Sequence, residues 1–160
     1  MKDEVVAQME QRGITIDDIT QIVFDLQRPF HPYLERKTCK DAIDAVLEKR
    51  EVQHAILTGL ALDIAAEKNI LPEPILTIIK EDESLYGIDE ILAFAITNIY
   101  GTIGITSFGY LDKMKIGLIG RLDSKEGYVN TFADDIVAAI ASAAAAKIAH
   151  NQKGDQSGYR

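Results

Sequence analysis

The sequence predicts an all-α fold, a multihelical bundle with a central, alanine-rich C-terminal helix surrounded by the other helices. Three observations support this. Apolar residues recur at helical spacing in most segments, and capping residues, glycines and prolines separate those segments. Alternating strand-like patterns are few and short, such as residues 14–16. Residues 132–150 are apolar on nearly every side, as in a helix that others enclose.

The N-terminal segments carry clear helix boundaries. Residues 3–12 predict a short helix that ends at Gly13. Thr15 is the predicted N-cap of the second helix, with Asp18 at the spacing of a capping box, and Pro29 ends that helix. We therefore expect two helices joined by a tight connection.

The middle of the chain continues the helical pattern. Thr38 predicts the start of a third helix, residues 52–68 form a fourth, and residues 72–79 form a short fifth that begins with prolines. Residues 88–100 form an apolar helix that ends at Gly101.

Residues 101–122 combine apolar side chains with five glycines. A short helix over 103–112 is predicted there. The glycines favour either a mobile flap or close helix packing. Thr131 is the predicted cap of the last helix, with Asp134 at the capping-box distance. That helix is either the centre of the bundle or a subunit interface.

Composition limits the class of protein. We expect a single helical domain over residues 1–150, followed by a flexible tail over 151–160. The net charge of −8 makes a nucleic-acid partner unexpected. Cys39 is the single cysteine, which excludes an internal disulfide and a cysteine-rich zinc site. No signal peptide or transmembrane segment is expected, which predicts a cytoplasmic protein with at most peripheral membrane contact.

Acidic residues form the main chemical pattern. Five acids lie within residues 81–90, and the pair Asp89-Glu90 is followed by six apolar residues and a hydroxyl. The pair Asp134-Asp135 begins the same pattern 45 residues later. Acids also stabilise helix N-termini, so the pattern has a purely structural interpretation. The functional interpretation makes Asp89, Glu90, Asp134 and Asp135 the ligands of Mg²⁺ or Mn²⁺.

Carboxylate-bound Mg²⁺ usually serves phosphate chemistry, and this predicts a phosphorylated small molecule or lipid headgroup as the partner. The predicted catalytic residues are Glu81, Glu83 and Asp135. The predicted phosphate-binding residues are Thr102, Lys113 and Arg121, which flank the acidic segments or follow the apolar helix.

Two motifs resemble those of the phosphatidylglycerophosphatase A family, in its soluble, YutG-like branch. Residues 100–104 (Tyr-Gly-Thr-Ile-Gly) are similar to the family's Pro-Gly-Thr-x-Gly-Ser motif, with Ile105 in place of Ser. Residues 132–138 (Phe-Ala-Asp-Asp-Ile-Val-Ala) are similar to its Ile-Asp-Glu-x-x-Gly motif. Residues 80–92 resemble the soluble branch most closely.

The resemblance implies Mg²⁺-dependent hydrolysis of phosphatidylglycerophosphate to phosphatidylglycerol, a step of phospholipid metabolism, by an all-helical homo-oligomer. Two alternatives stay open. One is a phosphatase that acts on a soluble phosphomonoester. The other is a non-catalytic helical module for oligomerisation or binding, in which the acids only cap helices.

Overall fold

The computed structural model describes residues 1–124 and 126–155. All regular secondary structure in these ranges is helical, so the all-α prediction is confirmed. In chain order the helices are α1 (Lys2–Gln11), α2 (Ile16–Gln27), α3 (Arg36–Leu47), α4 (Arg50–Glu67), α5 (Ile75–Lys80), α6 (Ile88–Thr97), α7 (Gly101–Met114), α8 (Leu118–Asp123) and α9 (Ala133–Asp155), with one 3-10 turn (Asn98–Tyr100) between α6 and α7.

The helix α9 is the centre of the bundle. It contacts α2, α3, α4, α6, α7 and α8. Every residue from Phe132 to Ala146 is buried, because the small alanine side chains let neighbouring helices approach from all sides. Of the two predicted positions for this helix, the centre of the bundle is therefore the correct one. Only a single chain is described, so the predicted homo-oligomer stays a prediction.

The ends of the helices agree in part with the sequence pattern. The Thr15 hydroxyl oxygen accepts the backbone N–H of Asp18 at 3.1 Å, which confirms the predicted cap of α2. The helix α9 continues to Asp155, beyond its predicted end at residue 150. The remainder of the predicted tail, residues 156–160, lies outside the described residues.

The apolar stretch Ile88–Met114 is long and apolar enough to cross a membrane, by length and composition alone. It is thus an exception to the expectation that no such segment exists. The stretch reverses direction at Gly101, where the backbone has φ of +74°. The rings of Phe94 and Phe108 are 5.3 Å apart, whereas a straight helix would separate these residues by roughly 21 Å. The stretch therefore forms two packed helices, α6 and α7.

Close packing accounts for a glycine in this region. A Cβ added to Gly104 would lie 2.9 Å from the carbonyl oxygen of Thr97. The start of α7 therefore lies against the end of α6 at a distance that a side chain would prevent. This supports the packing interpretation of the glycine-rich segment.

Candidate functional site

An acidic cleft of about 270 Å³ opens where α6 and α9 begin. We use the name acidic cleft for the space lined by Asp82, Glu83, Ser84, Gly87, Asp89, Glu90, Asp112, Lys115, Asp123, Asp134 and Asp135. Its walls come from the loop after α5, the first turns of α6 and α9, and the ends of α7 and α8.

The two acidic pairs of the sequence repeat meet in this cleft. Helices α6 and α9 pack against each other, and both pairs lie in their first turns. The positive ends of two helix dipoles therefore favour negative charge at this place. The hydroxyls of the repeat take no part: Thr97 donates to the carbonyl of Phe94, and Ser142 donates to that of Ala138.

Lys115 lies among the acids of the cleft. Its ammonium nitrogen is 2.7 Å from Asp134 Oδ2, 3.1 Å from Asp112 Oδ1 and 3.7 Å from Asp123 Oδ1. Burial alone would lower the pKa of Lys115, but the hydrogen bond and negative charge of Asp134 outweigh it and raise the pKa. The lysine is therefore charged at neutral pH and offsets part of the negative charge.

Asp134 and Asp135 are both buried, with 4% of each residue exposed. Burial raises the pKa of Asp134 to about 6, although Lys115 opposes that shift. Burial raises the pKa of Asp135 to about 9, and the negative charges of Asp134 and Asp89 add to the shift. The Asp135 carboxylate has no hydrogen-bond or ion-pair partner among the described residues.

One of the two carboxyl oxygens of Asp89 also lacks a partner among the described residues. Its Oδ1 atom is buried and has no hydrogen-bond partner in the part of the chain that is described. Burial also raises the pKa of this carboxyl group. Buried acceptor oxygens without donors are rare, since leaving them unpaired costs free energy. Asp89 and Asp135 together indicate a place where a cationic ligand would be stabilised.

The first turn of α9 is held by Asp63, which is not among the predicted site residues. The buried Asp63 carboxylate on α4 accepts the backbone N–H groups of Phe132 at 3.1 Å and Ala133 at 2.9 Å. Burial raises the pKa of Asp63 to about 8, against the effect of these two hydrogen bonds. The prediction that Thr131 caps α9 is wrong: the backbone N–H of Asp134 bonds to the carbonyl of Asn130 at 3.3 Å, and the Thr131 hydroxyl donates to the carbonyl of Ile79 at 2.6 Å.

The structure separates the other predicted site residues into two groups. Glu83 lines the acidic cleft, whereas Glu81 is exposed at the end of α5 and lines a smaller neighbouring cleft. Thr102 and Lys113 are exposed on α7 and do not line the acidic cleft. Arg121 forms an ion pair with Asp18 of α2 at 2.8 Å and does not line the cleft.

Four residues that line the cleft, Asp82, Asp112, Lys115 and Asp123, are not among the predicted site residues. For Lys115 a weak signal exists, because Asp112 lies three residues earlier and could pair with it on a helix. No local signal identifies Asp112 and Asp123 themselves. They reach the cleft only because α7 and α8 pack against α9.

The chemistry of the cleft fits a hard divalent cation that keeps part of its water shell. No group of three or more His, Cys, Asp or Glu side chains among the described residues is placed to hold a metal ion directly. Mg²⁺ usually keeps several waters and takes one or two carboxylates. The unpaired oxygen of Asp89 and the unpartnered carboxylate of Asp135 would supply such ligands, with Asp134 beside them.

Comparison with known proteins gives consistent matches over most of the chain. The family model for phosphatidylglycerophosphatase A matches residues 5–150. The chain is 50% identical to the uncharacterized protein YpjQ of Bacillus subtilis, covering 96% of this chain and 86% of YpjQ. It is 49% identical to the uncharacterized protein YutG of the same organism, covering 96% and 93% of the two chains.

Solved structures show the same fold. The crystal structure of YpjQ from Bacillus subtilis superposes with a TM-score of 0.92 at 50% identity and covers 96% of each chain. The low temperature requirement C protein from Listeria monocytogenes superposes with a TM-score of 0.92 at 48% identity, covering 95% of this chain and 96% of that one. The arrangement of helices is therefore shared with these proteins.

Proposed function

The chain belongs to the phosphatidylglycerophosphatase A family, and we propose that it is a Mg²⁺-dependent phosphomonoester hydrolase whose active site is the acidic cleft. The observation that carries this proposal is Asp135, a carboxylate that is 4% exposed, lines the cleft and has no partner among the described residues. Burial raises the pKa of this group, so it loses its proton at neutral pH only when a positively charged ligand compensates for the burial. A divalent cation is the ligand that suits its chemistry and that of its acidic neighbours.

Each residue of the cleft has a separate role in the proposed reaction. Asp89, Glu90, Asp134 and Asp135 would hold Mg²⁺, which when bound neutralises phosphoryl oxygens and makes a bound water more acidic. Among the described residues, Lys115 is the basic residue that lines the cleft, and it would orient the phosphate by charge. Glu83 is exposed on the cleft wall, where it would accept a proton from the attacking water. In this scheme Lys115 takes the role predicted for Thr102, Lys113 and Arg121.

The surface beside the cleft favours a lipid substrate over a small soluble one. Leu85 is 89% exposed and Ile91 is 61% exposed, and Ile88 lies between them in sequence. These apolar side chains belong to the same loop and helix that supply Glu83, Asp89 and Glu90. A phosphate headgroup in the cleft would thus place acyl chains near exposed apolar side chains. We therefore propose phosphatidylglycerophosphate as the substrate, with peripheral contact between a cytoplasmic protein and the membrane.

The test is phosphate release with and without Mg²⁺, from phosphatidylglycerophosphate in detergent micelles and from a panel of water-soluble phosphomonoesters. Metal-dependent release from the lipid is the expected result. Release from soluble esters alone would keep the chemistry and reject the lipid substrate. If the folded protein releases phosphate from none of these esters in the presence of Mg²⁺, the proposed enzymatic function is rejected. That result would favour the non-catalytic helical module.

A further inference from the structure

We propose that Lys115 is a built-in counter-ion of the acidic cleft, and that a divalent cation must displace its ammonium group from Asp134 in order to bind. The proposal rests on the function proposed for the cleft and adds to it a residue that regulates metal affinity. Displacement would leave the lysine beside the cation, where it can contact the phosphate of a substrate.

The contacts of Lys115 are those of a bound cation. Its ammonium nitrogen bridges Asp134 at 2.7 Å and Asp112 at 3.1 Å, with Asp123 at 3.7 Å. These acids come from three different helices or their ends, so the lysine joins α7, α8 and α9. A divalent cation beside Asp134 would need the same carboxylate oxygens and would repel the ammonium group.

The positive charge of Lys115 does not neutralise all the acids of the cleft. In the described part of the chain, the lining contains eight carboxylate side chains and one ammonium group, that of Lys115. The lysine reaches Asp112, Asp123 and Asp134, whereas Asp135 and the buried Oδ1 of Asp89 have no partner among the described residues. The unpartnered Asp135 is more than nine-tenths buried and lines the cleft. The site is therefore only partly neutralised and retains ligands for a further cation.

The backbone also indicates that the side chain of Lys115 matters. The residue ends α7 in the left-handed conformation, with φ of 48° and ψ of 45°. Glycine is the residue that adopts this conformation without strain. The carbonyl oxygen of Lys115 also packs closely against Gly120, where a Cβ would collide with it. A lysine at such a position is consistent with a function for its ammonium group.

Lys115 now occupies the place that a metal ion beside Asp134 would need. Lys115 occupies the place between Asp112 and Asp134, and these carboxylates point toward it. Removal of the ammonium group should free both carboxylates for a metal ion. The metal-free protein should become less stable, because the acids would then repel each other without compensation.

The experiment measures Mn²⁺ affinity by electron paramagnetic resonance for the wild type, Lys115→Met and Lys113→Met. Lys113 is a matched control, since it is an exposed lysine on the same helix and its loss changes the net charge equally. We expect Lys115→Met to bind Mn²⁺ about tenfold more tightly than the wild type, a typical size for a direct charge contact. Lys113→Met should stay within about twofold, because exposed charges are screened.

Thermal unfolding with and without Mn²⁺ gives the second readout. Lys115→Met should melt at a lower temperature than the wild type without metal, and Mn²⁺ should raise its melting temperature more than that of the wild type. If Lys115→Met does not fold without metal, Lys115→Gln provides the same comparison with a neutral group that can still donate to Asp134.

The outcomes separate the two proposals. Unchanged Mn²⁺ affinity in Lys115→Met, with clear binding by the wild type, would overturn the counter-ion role and leave the metal site intact. Equal tightening in Lys113→Met would also overturn it, since net charge alone would then explain the effect. An absence of Mn²⁺ binding in every variant would overturn both this inference and the metal-dependent function.

Discussion

Asp63 is a buried carboxylate that joins α4 to the first turn of α9. Its two acceptor bonds to the backbone of Phe132 and Ala133 fix the helix end from which Asp134 and Asp135 extend. The predicted local cap, Thr131, does not bind the first turn: the N–H of Asp134 bonds to the carbonyl of Asn130, and the Thr131 hydroxyl donates to the carbonyl of Ile79. Because Asp63 and Ala133 are 70 positions apart, sequence spacing carries no signal for this contact.

The raised pKa of Asp63 predicts that folding becomes less favourable as the pH increases. The carboxyl group has a pKa of about 8 in the folded protein and about 3.8 as an ordinary aspartate, so the folded state binds more protons between these values. The free energy of unfolding should therefore fall from about pH 4 to about pH 8, by up to about 1.4 kcal/mol per pH unit for one proton.

Urea denaturation of the wild type and Asp63→Asn across this range measures the effect. The asparagine does not titrate, so the variant should show a shallower slope. Some slope should remain, because the pKa values of Asp134 and Asp135 are raised in the same direction. Equal slopes for the two proteins would show that Asp63 is ionised in both states.

The helices α6 and α7 show how much of an element its sequence predicts. Gly101 marks the end of the apolar helix as expected, and the glycine-rich segment that follows is helical. The predicted helix over 103–112 is shorter than the observed α7, since its ends depend on packing against α9. The reversal at Gly101 brings α7 back along α6, and this requires tertiary contacts that periodicity does not report.

Two glycines of α7 give a matched test of this packing. A Cβ at Gly104 would meet the carbonyl oxygen of Thr97 at 2.9 Å, whereas a Cβ at Gly109 meets nothing within 4 Å. Gly104→Ala should cost about 1–3 kcal/mol of stability through overpacking. Gly109→Ala should stabilise the protein by up to about 1 kcal/mol, because alanine favours the helix.

Chemical denaturation of the two glycine variants decides between packing and flexibility. Opposite signs for the two changes would support close packing of α6 and α7. Similar stabilisation by both alanines would mean that the start of α7 does not press against Thr97, and that its glycines serve another purpose.

Across the whole molecule, the chain carries a net charge of −8 and concentrates eight of its acids around one cleft. The repeated acidic pairs made four of these residues predictable, because the same pattern of an acidic pair, six apolar residues and a hydroxyl occurs twice in the sequence. The other members arrive from α7, α8 and the loop after α5, whose positions depend on how the helices pack around α9. The sequence therefore shows that Lys115 is basic, but it does not predict that Lys115 contacts Asp134.

This charge distribution predicts that Mg²⁺ stabilises the folded protein. A ligand at 100 times its dissociation constant adds about 2.7 kcal/mol to the free energy of unfolding. For a domain of this size that corresponds to roughly 5–10 °C in melting temperature. Differential scanning calorimetry with MgCl₂, and with NaCl at equal ionic strength, separates specific binding from screening. An equal shift from the two salts would reject a specific site.

The rate of Mg²⁺-dependent phosphate release by Asp135→Asn, compared with the wild type, bears most directly on the role of the acidic cleft. Asp3→Asn on α1 is the control, since it removes an exposed carboxylate outside the cleft. Circular dichroism would establish that all three proteins are folded. The proposed site predicts that Asp135→Asn loses about 100-fold or more of the rate, while Asp3→Asn keeps the wild-type rate. Wild-type turnover by a folded Asp135→Asn protein would contradict the assignment of the active site to this cleft.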